Sequence, residues 1–100
     1  MQSSYRFFVT GRVQGVGFRQ AALDCARAMG VTGWVRNTAD GRVEGVATHE
    51  SERVLSEFRN WLRRGPPGSR VDELQWRPDD AGSPQDPPPE LHSGRFVIIR

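Results

Sequence analysis

The chain of 100 residues has one cysteine, a small net charge and no long apolar run. Because Cys25 has no second cysteine to pair with, an internal disulfide is excluded and folding needs no oxidising compartment. No apolar stretch approaches the roughly 20 residues that span a bilayer, and residues 1–4 hold no apolar signal segment. A net charge of +2 is too small to indicate nucleic-acid binding. We therefore expect a monomeric cytoplasmic domain over residues 1–100 that binds neither membrane nor nucleic acid.

Metal ligands are also scarce in this sequence. His49 and His92 stand alone, with no carboxylate or second histidine at the spacing of metal ligands. Cys25 falls on the apolar stripe of a predicted helix, which is typical of a core thiol. We expect no bound metal and no cofactor.

Hydrophobic periodicity predicts five strands and two helices. Apolar and polar residues alternate, or apolar residues cluster, in strand-like segments at residues 5–13, 32–38, 42–48, 70–77 and 95–100. Helical spacing begins at Phe18 and ends before Gly30, and begins again after Ser51, a candidate N-cap, to end at Gly65. This β-α-β-β-α-β order predicts an α+β fold of the ferredoxin-like type, an antiparallel sheet with two helices on one face and an additional C-terminal strand.

Residues 78–93 are rich in proline, glycine, serine and aspartate. Such a segment cannot be a helix or an inner strand. We expect a flexible surface loop there, with a ligand for a proline-recognition domain as the alternative.

The predicted order has a consequence for the position of polar residues. A helix of about 13 residues is about 20 Å long, close to the length of a six-residue strand. The first helix can therefore return the chain so that the second strand runs parallel to the first, with the third strand between them. We expect residues 14–19, which follow the first strand, to meet Asn37, which ends the second.

The segment that enters the first helix predicts an anion site. Its backbone N–H groups have no helical carbonyl to bind, and Gly15 and Gly17 allow the backbone to turn inward. Arg19 lies in the first helical turn, where a cation opposes the helix dipole, and its planar guanidinium suits phosphate oxygens. A solvated surface arginine is the alternative interpretation. The pattern is neither a Walker A loop nor a dinucleotide fingerprint, so spacing alone predicts only an oxyanion site.

Two segments resemble the signatures of the acylphosphatase family. Residues 11–19 (GRVQGVGFR) are similar to the first signature, and residues 33–37 (GWVRN) with residues 40–45 (DGRVEG) are similar to the second. The similarity extends over nearly the whole chain and implies the fold derived above. It also implies a metal-independent hydrolase that cleaves acyl phosphates to a carboxylate and inorganic phosphate.

The resemblance also implies a role for individual residues. Arg19 would bind the phosphoryl oxygens together with the loop amides, and Asn37 would orient the attacking water. The candidate phosphate-binding residues are Gln14, Gly15, Val16, Gly17, Phe18 and Arg19. From the residues alone, Asn37 is better interpreted as the opening of a turn at residues 39–41, and the side chain of Gln14 as a brace of the loop.

The sequence also departs from the family, and two other functions compete. Gln20 and Ala21 follow Arg19, where the family usually has an aromatic or bulky residue and then a hydroxyl residue. This difference can alter the rim of the site or the packing of the first helix. One alternative function is a non-hydrolytic module that binds phosphate or carbamoyl phosphate. The other is an RNA-binding module, based on residues 94–97, although its partner aromatic residues are missing. The signatures leave the acyl group of the substrate unspecified.

Overall fold

The computed structural model describes residues 2–79 and 95–99, and within them the elements follow the predicted order. The strands are β1 Ser3–Arg12, β2 Thr32–Asn37, β3 Val43–His49, β4 Arg70–Pro78 and β5 Phe96–Ile98. The helices are α1 Phe18–Met29 and α2 Glu52–Arg64. The helix boundaries agree with the prediction, and most strand ends differ from it by one or two residues.

The strands form a sheet with the order β4-β1-β3-β2-β5. β3 pairs antiparallel with both β1 and β2, so β1 and β2 run parallel to each other. β4 is antiparallel to β1, whereas β5 is parallel to β2. The ferredoxin-like arrangement is confirmed, and the additional C-terminal strand makes the sheet mixed rather than purely antiparallel.

Both helices pack on one face of the sheet and enclose the core with it. The buried strand residues of this face are Phe7, Val9, Val35, Val43, Ala47 and Phe96. The helices contribute Phe18, Ala22, Ala26, Leu55, Phe58 and Leu62. The ring of Phe58 lies 6.1 Å from that of Phe7 and 5.8 Å from that of Phe96, measured between centroids. The apolar stripes predicted for the two helices are therefore the core.

The predicted helix caps explain why the helix ends could be located from the sequence. Gly30 has the left-handed conformation with φ of 75°, which closes α1. The Ser51 hydroxyl accepts a hydrogen bond from the Val54 amide at 3.3 Å and caps α2. At the other end of α2, the Gly65 amide donates to the Trp61 carbonyl at 2.7 Å.

β4 is longer than predicted and takes in the first residue of the predicted loop. Pro78 ends the strand, and the Asp79 amide donates to the Ser4 carbonyl at 2.9 Å. Proline is tolerated there because β4 lies at the edge of the sheet. The other residues of the predicted loop, 80–93, lie outside the described residues.

The opposite face of the sheet carries a buried carboxylate, Glu44, whose side chain lies between two arginines. The residue is 6% exposed, with Glu44 Oε2 at 2.7 Å from Arg6 Nη1 and Oε1 at 2.8 Å from Arg36 Nη2. The two guanidinium carbons lie 5.5 and 5.3 Å from the ring centroid of Trp34. Burial of a charge is costly unless the charge is paired. The two ion pairs therefore allow the Glu44 carboxylate to be buried in β3.

Removal of this carboxylate should destabilise the fold measurably. Glu44→Ala leaves two arginines without their shared partner and should lower the free energy of unfolding by about 2–3 kcal/mol. Glu73→Ala, at an exposed position of β4, is the matched control and should change it by less than about 0.5 kcal/mol. Urea denaturation followed by circular dichroism measures both. Equal stabilities of the two variants would contradict a structural role for the pair of ion pairs.

Candidate active site

The loop between β1 and α1 presents a row of backbone amides. Gly15 and Gly17 have positive φ values of 74° and 77°, and Gly17 is the N-cap of α1 without a side-chain cap. The first hydrogen bond into the helix runs from the Ala21 amide to the Gly17 carbonyl at 3.0 Å. Among the described residues, the amides of residues 15–20 have no hydrogen-bond partner. N–H groups of this kind, at the positive end of a helix dipole, can bind an anion.

Arg19 projects from this first helical turn. Its side chain is half-buried, and within residues 2–79 and 95–99 it makes no hydrogen bond or ion pair. The first turn of α1 holds no acidic residue that could neutralise it. An unpaired cation beside unpaired amides favours a binding role over that of a solvated surface arginine.

A cleft of about 230 Å³ lies against this loop and the end of β2. It is lined by Val13, Gly15, Gly17, Phe18, Arg19, Gln20, Asn37 and Ile98. Arg19 and Asn37, which are 18 positions apart in the chain, thus share one cleft. Asn37 Oδ1 is buried and has no hydrogen-bond partner in the described part of the chain. A buried polar atom without a partner is rare in proteins and points to a functional position.

Gln14 and Val16 belong to the loop without lining the cleft. Gln14 instead directs its side chain to the turn between β2 and β3. Its Nε2 donates to the carbonyls of Thr38 and Arg42, at 2.9 Å each. The side chain braces the loop, as the sequence suggested, but it does so through a turn 24 and 28 positions away rather than through local hydrogen bonds.

The turn at residues 38–42 is tied together by its own side chains. The Thr38 amide donates to the Arg42 carbonyl at 2.9 Å, and the Arg42 amide donates back to Thr38 Oγ1 at 3.0 Å. The Thr38 hydroxyl also donates to Asp40 Oδ1, and Arg42 Nε donates to Asp40 Oδ2 at 3.0 Å. These contacts, the Thr38 hydrogen bond above all, hold the pKa of Asp40 below its ordinary value. The hairpin predicted at residues 39–41 is confirmed.

The sequence profile of the acylphosphatase family matches residues 5–86. The chain belongs to the acylphosphatase family. It is 57% identical to an acylphosphatase of Anaeromyxobacter sp. (strain Fw109-5) over 67 residues, which are 67% of this chain and 71% of the relative. It is 50% identical to that of Chromohalobacter salexigens over 82 residues, 82% of this chain and 84% of the relative. The crystal structure of acylphosphatase from Bacillus subtilis superposes with a TM-score of 0.80 at 36% identity and covers 100% of both chains.

The rim of the cleft in this acylphosphatase contains one residue that the sequence suggested, Gln20, and one that it could not place, Ile98. Gln20 lines the cleft, and its Nε2 donates to Asp24 Oδ1 at 3.1 Å, which ties the side chain along α1. Ile98 reaches the cleft because β5 pairs with β2, with Ile98 opposite Val35. The pairing partner of a three-residue strand leaves no signal in the sequence. Ala21 is not part of the lining.

Other reactive groups do not take part in the cleft. Cys25 is half-buried in α1, and burial raises the pKa of its thiol, which disfavours a thiolate nucleophile. Residues 2–79 and 95–99 contain no cluster of three or more histidine, cysteine, aspartate or glutamate side chains that could hold a metal ion.

In the same part of the acylphosphatase, no helix is both long and apolar enough to cross a membrane.

The position of Phe96 argues against the RNA-binding interpretation of this acylphosphatase. The residue is 0% exposed and packs against Phe58 on the helix-covered face of the sheet. An aromatic platform for bases has to be accessible to the nucleic acid. Phe96 is therefore a core residue.

The Asp40 contacts predict a pH-dependent contribution to stability. Because the pKa of Asp40 is lowered in the folded state, its contribution is fully present above the ordinary value of about 3.9 and is lost as the pH falls through the lowered value. Asp40→Asn should therefore have a lower urea midpoint than the parent chain at pH 7, and the difference should shrink when the pH is lowered below the ordinary value. Glu50→Gln, at an exposed position near the start of α2, is the control. A difference that is the same at both pH values would contradict the role of the Asp40 charge.

Proposed function

We propose that this acylphosphatase binds the phosphate of its substrate with Arg19 and the amides of residues 14–19, and positions the attacking water with Asn37. The observation that carries the proposal is the cleft itself. In it an unpaired guanidinium, a row of unpaired amides and an asparagine with an unpaired oxygen lie together. All three kinds of group lack protein partners among the described residues, and the transferring phosphoryl group and its water would supply them.

The reaction needs positioning and charge stabilisation more than covalent help from the protein. The water oxygen attacks phosphorus, the bond from phosphorus to the acyl oxygen breaks, and the electron pair of that bond leaves with the carboxylate. Because a carboxylate is a good leaving group, no strong general acid is required. The proton of the water passes to a phosphate oxygen, so that inorganic phosphate is the second product.

Arg19 and the amides supply complementary parts of the phosphate site. The space beside Gly15 and Gly17 is open, since a Cβ at either position would meet no atom within 4 Å. A phosphate could therefore approach the unpaired amides of the loop without a steric obstacle at these two residues. Arg19 adds a full charge and two parallel donors. Charge that builds up on the equatorial oxygens in the transition state would face both.

Asn37 is suited to positioning the attacking water because its side-chain oxygen has no hydrogen-bond partner among the described residues. Turning the carboxamide toward the cleft breaks no hydrogen bond of Oδ1, since that atom has none among the described residues. The oxygen can then accept a hydrogen bond from the water, but an amide is too weakly basic to remove the proton unaided.

The volume of the cleft is evidence for a small substrate. Its volume of about 230 Å³ lies below the range of roughly 300–1,000 Å³ that drug-sized ligands occupy. We therefore propose a small acyl phosphate, whose acyl group the phosphate site leaves unspecified. The cytoplasmic location and the monomeric state expected from the sequence stay predictions.

A turnover assay separates this function from the non-hydrolytic alternative. The purified chain should hydrolyse benzoyl phosphate to benzoate and inorganic phosphate with EDTA present throughout. A chain that binds inorganic phosphate but leaves benzoyl phosphate intact would support the binding module instead.

Substitution of Arg19 tests the phosphate site. Arg19→Lys keeps the charge but not the two parallel donors, so kcat/KM should fall by at least about 100-fold. Inhibition by inorganic phosphate should weaken in the same variant. Arg63→Lys, an exposed change at the end of α2, should behave like the parent chain. Full activity of Arg19→Lys would refute the assigned role.

Substitution of Asn37 separates binding from chemistry. Asn37→Ala should lower kcat by about 100-fold or more, the scale for loss of one positioned group at a reacting centre. Phosphate inhibition should hardly change, because Arg19 and the amides remain. Asn60→Ala, exposed on α2, is the matched control, and circular dichroism checks the fold. If inhibition weakens in step with kcat, Asn37 is a binding or structural residue.

A further inference from the structure

Gln14 lies in the loop after β1, beyond the point where backbone hydrogen bonds connect β1 to β3. The β1–β3 ladder ends with the pair of Val9 and Val43. Beyond that pair β1 continues to Arg12 with β4 as its partner. The segment that leads into the anion loop is therefore no longer bonded to the strand that lies next to β2.

The side chain of Gln14 restores a connection at this point. Its Nε2 has two hydrogens, and the carbonyls of Thr38 and Arg42 take one each, at 2.9 Å. In the described part of the chain, these are the only hydrogen bonds or ion pairs between residues 10–20 and residues 37–42. The nitrogen is saturated by these bonds and has no hydrogen left for a phosphate oxygen.

The two carbonyls lie immediately beyond Asn37, on the turn side of the last pair of β2 and β3. Asn37 and Val43 form the last pair between β2 and β3, and Thr38 and Arg42 are the residues of the turn next to that pair. Gln14 thus holds the hairpin one residue away from Asn37. A shift of the hairpin relative to the loop would move the Asn37 carboxamide relative to the amides of residues 15–20.

We propose that Gln14 is a positioning residue, which fixes the Asn37 carboxamide relative to the phosphate loop by binding both carbonyls of the hairpin. This inference rests on the proposed roles of Arg19 and Asn37. Misplacement of a reacting group by about 1 Å can cost up to about 100-fold in rate, so two hydrogen bonds outside the cleft can control turnover. Phosphate binding needs only Arg19 and the amides, and should depend on Gln14 much less.

The test measures kcat and phosphate inhibition on Gln14→Ala and on Gln14→Met, which keeps the length of the side chain without its donors. Both variants should lose about 10- to 100-fold in kcat while the inhibition constant of inorganic phosphate changes by less than about threefold. Gln75→Ala, at an exposed position of β4, is the matched control. If both Gln14 variants lose phosphate inhibition together with turnover, the contact serves the loop or the fold, and the proposal is overturned.

A double-mutant cycle with Asn37→Ala shows whether Gln14 acts through Asn37. If it does, Gln14→Met should have less than about threefold further effect on kcat in the Asn37→Ala background. A full and independent loss there would overturn the proposal while leaving the role of Asn37 intact. Normal kcat in Asn37→Ala alone would instead refute the proposed function on which the inference rests.

Discussion

Antiparallel pairing of β3 with both β1 and β2 is the constraint on which the cleft depends. It forces β1 and β2 to run parallel, so that the loop after β1 and the last residue of β2 lie at the same end of the strands. The 12 residues of α1 return the chain over about 18 Å, which matches the length of β2. Had β2 paired directly with β1 as a hairpin, Asn37 would lie at the opposite edge from Arg19.

The cleft contains polar groups that have no hydrogen-bond or ion-pair partner among the described residues. The amides of residues 15–20, the Arg19 guanidinium and Asn37 Oδ1 all lack a protein partner there. Of these groups Asn37 Oδ1 is buried, and a buried acceptor without a partner lowers the stability of the fold. Contacts elsewhere offset this cost. The aromatic core around Phe58, the ion pairs of Glu44 and the hydrogen bonds within residues 38–42 stabilise the scaffold that carries these groups. Such a division between a stable scaffold and an unsatisfied site is common in enzymes.

The helices and strands could be predicted because their signals are local in the sequence. Contacts between residues that are distant in the sequence could not be predicted. The helix ends followed from Gly30, Ser51 and Gly65, because caps act within a few residues. The burial of Glu44 could not be foreseen, because a charge within a strand normally marks an exposed position and its arginine partners come from two other strands. Of the candidate site, the loop and Arg19 follow from residue spacing, and Asn37 follows from the order of elements. The contacts of Gln14 span 24 and 28 positions, a separation that no local pattern reports.

Glycine serves two different purposes in this fold, and only one of them concerns the anion site. At Gly45 a Cβ would lie 2.4 Å from Phe7 Cζ and 2.4 Å from the Trp34 carbonyl oxygen, so the residue provides space for the core. At Gly15 and Gly17 a Cβ would meet nothing within 4 Å, and the requirement is the positive φ. For an L-residue other than glycine that conformation costs about 1–2 kcal/mol, which would favour a different path of the loop. The path of the loop, and with it the proposed anion site, therefore depends on backbone conformation at these two positions rather than on any side chain of the loop before Arg19.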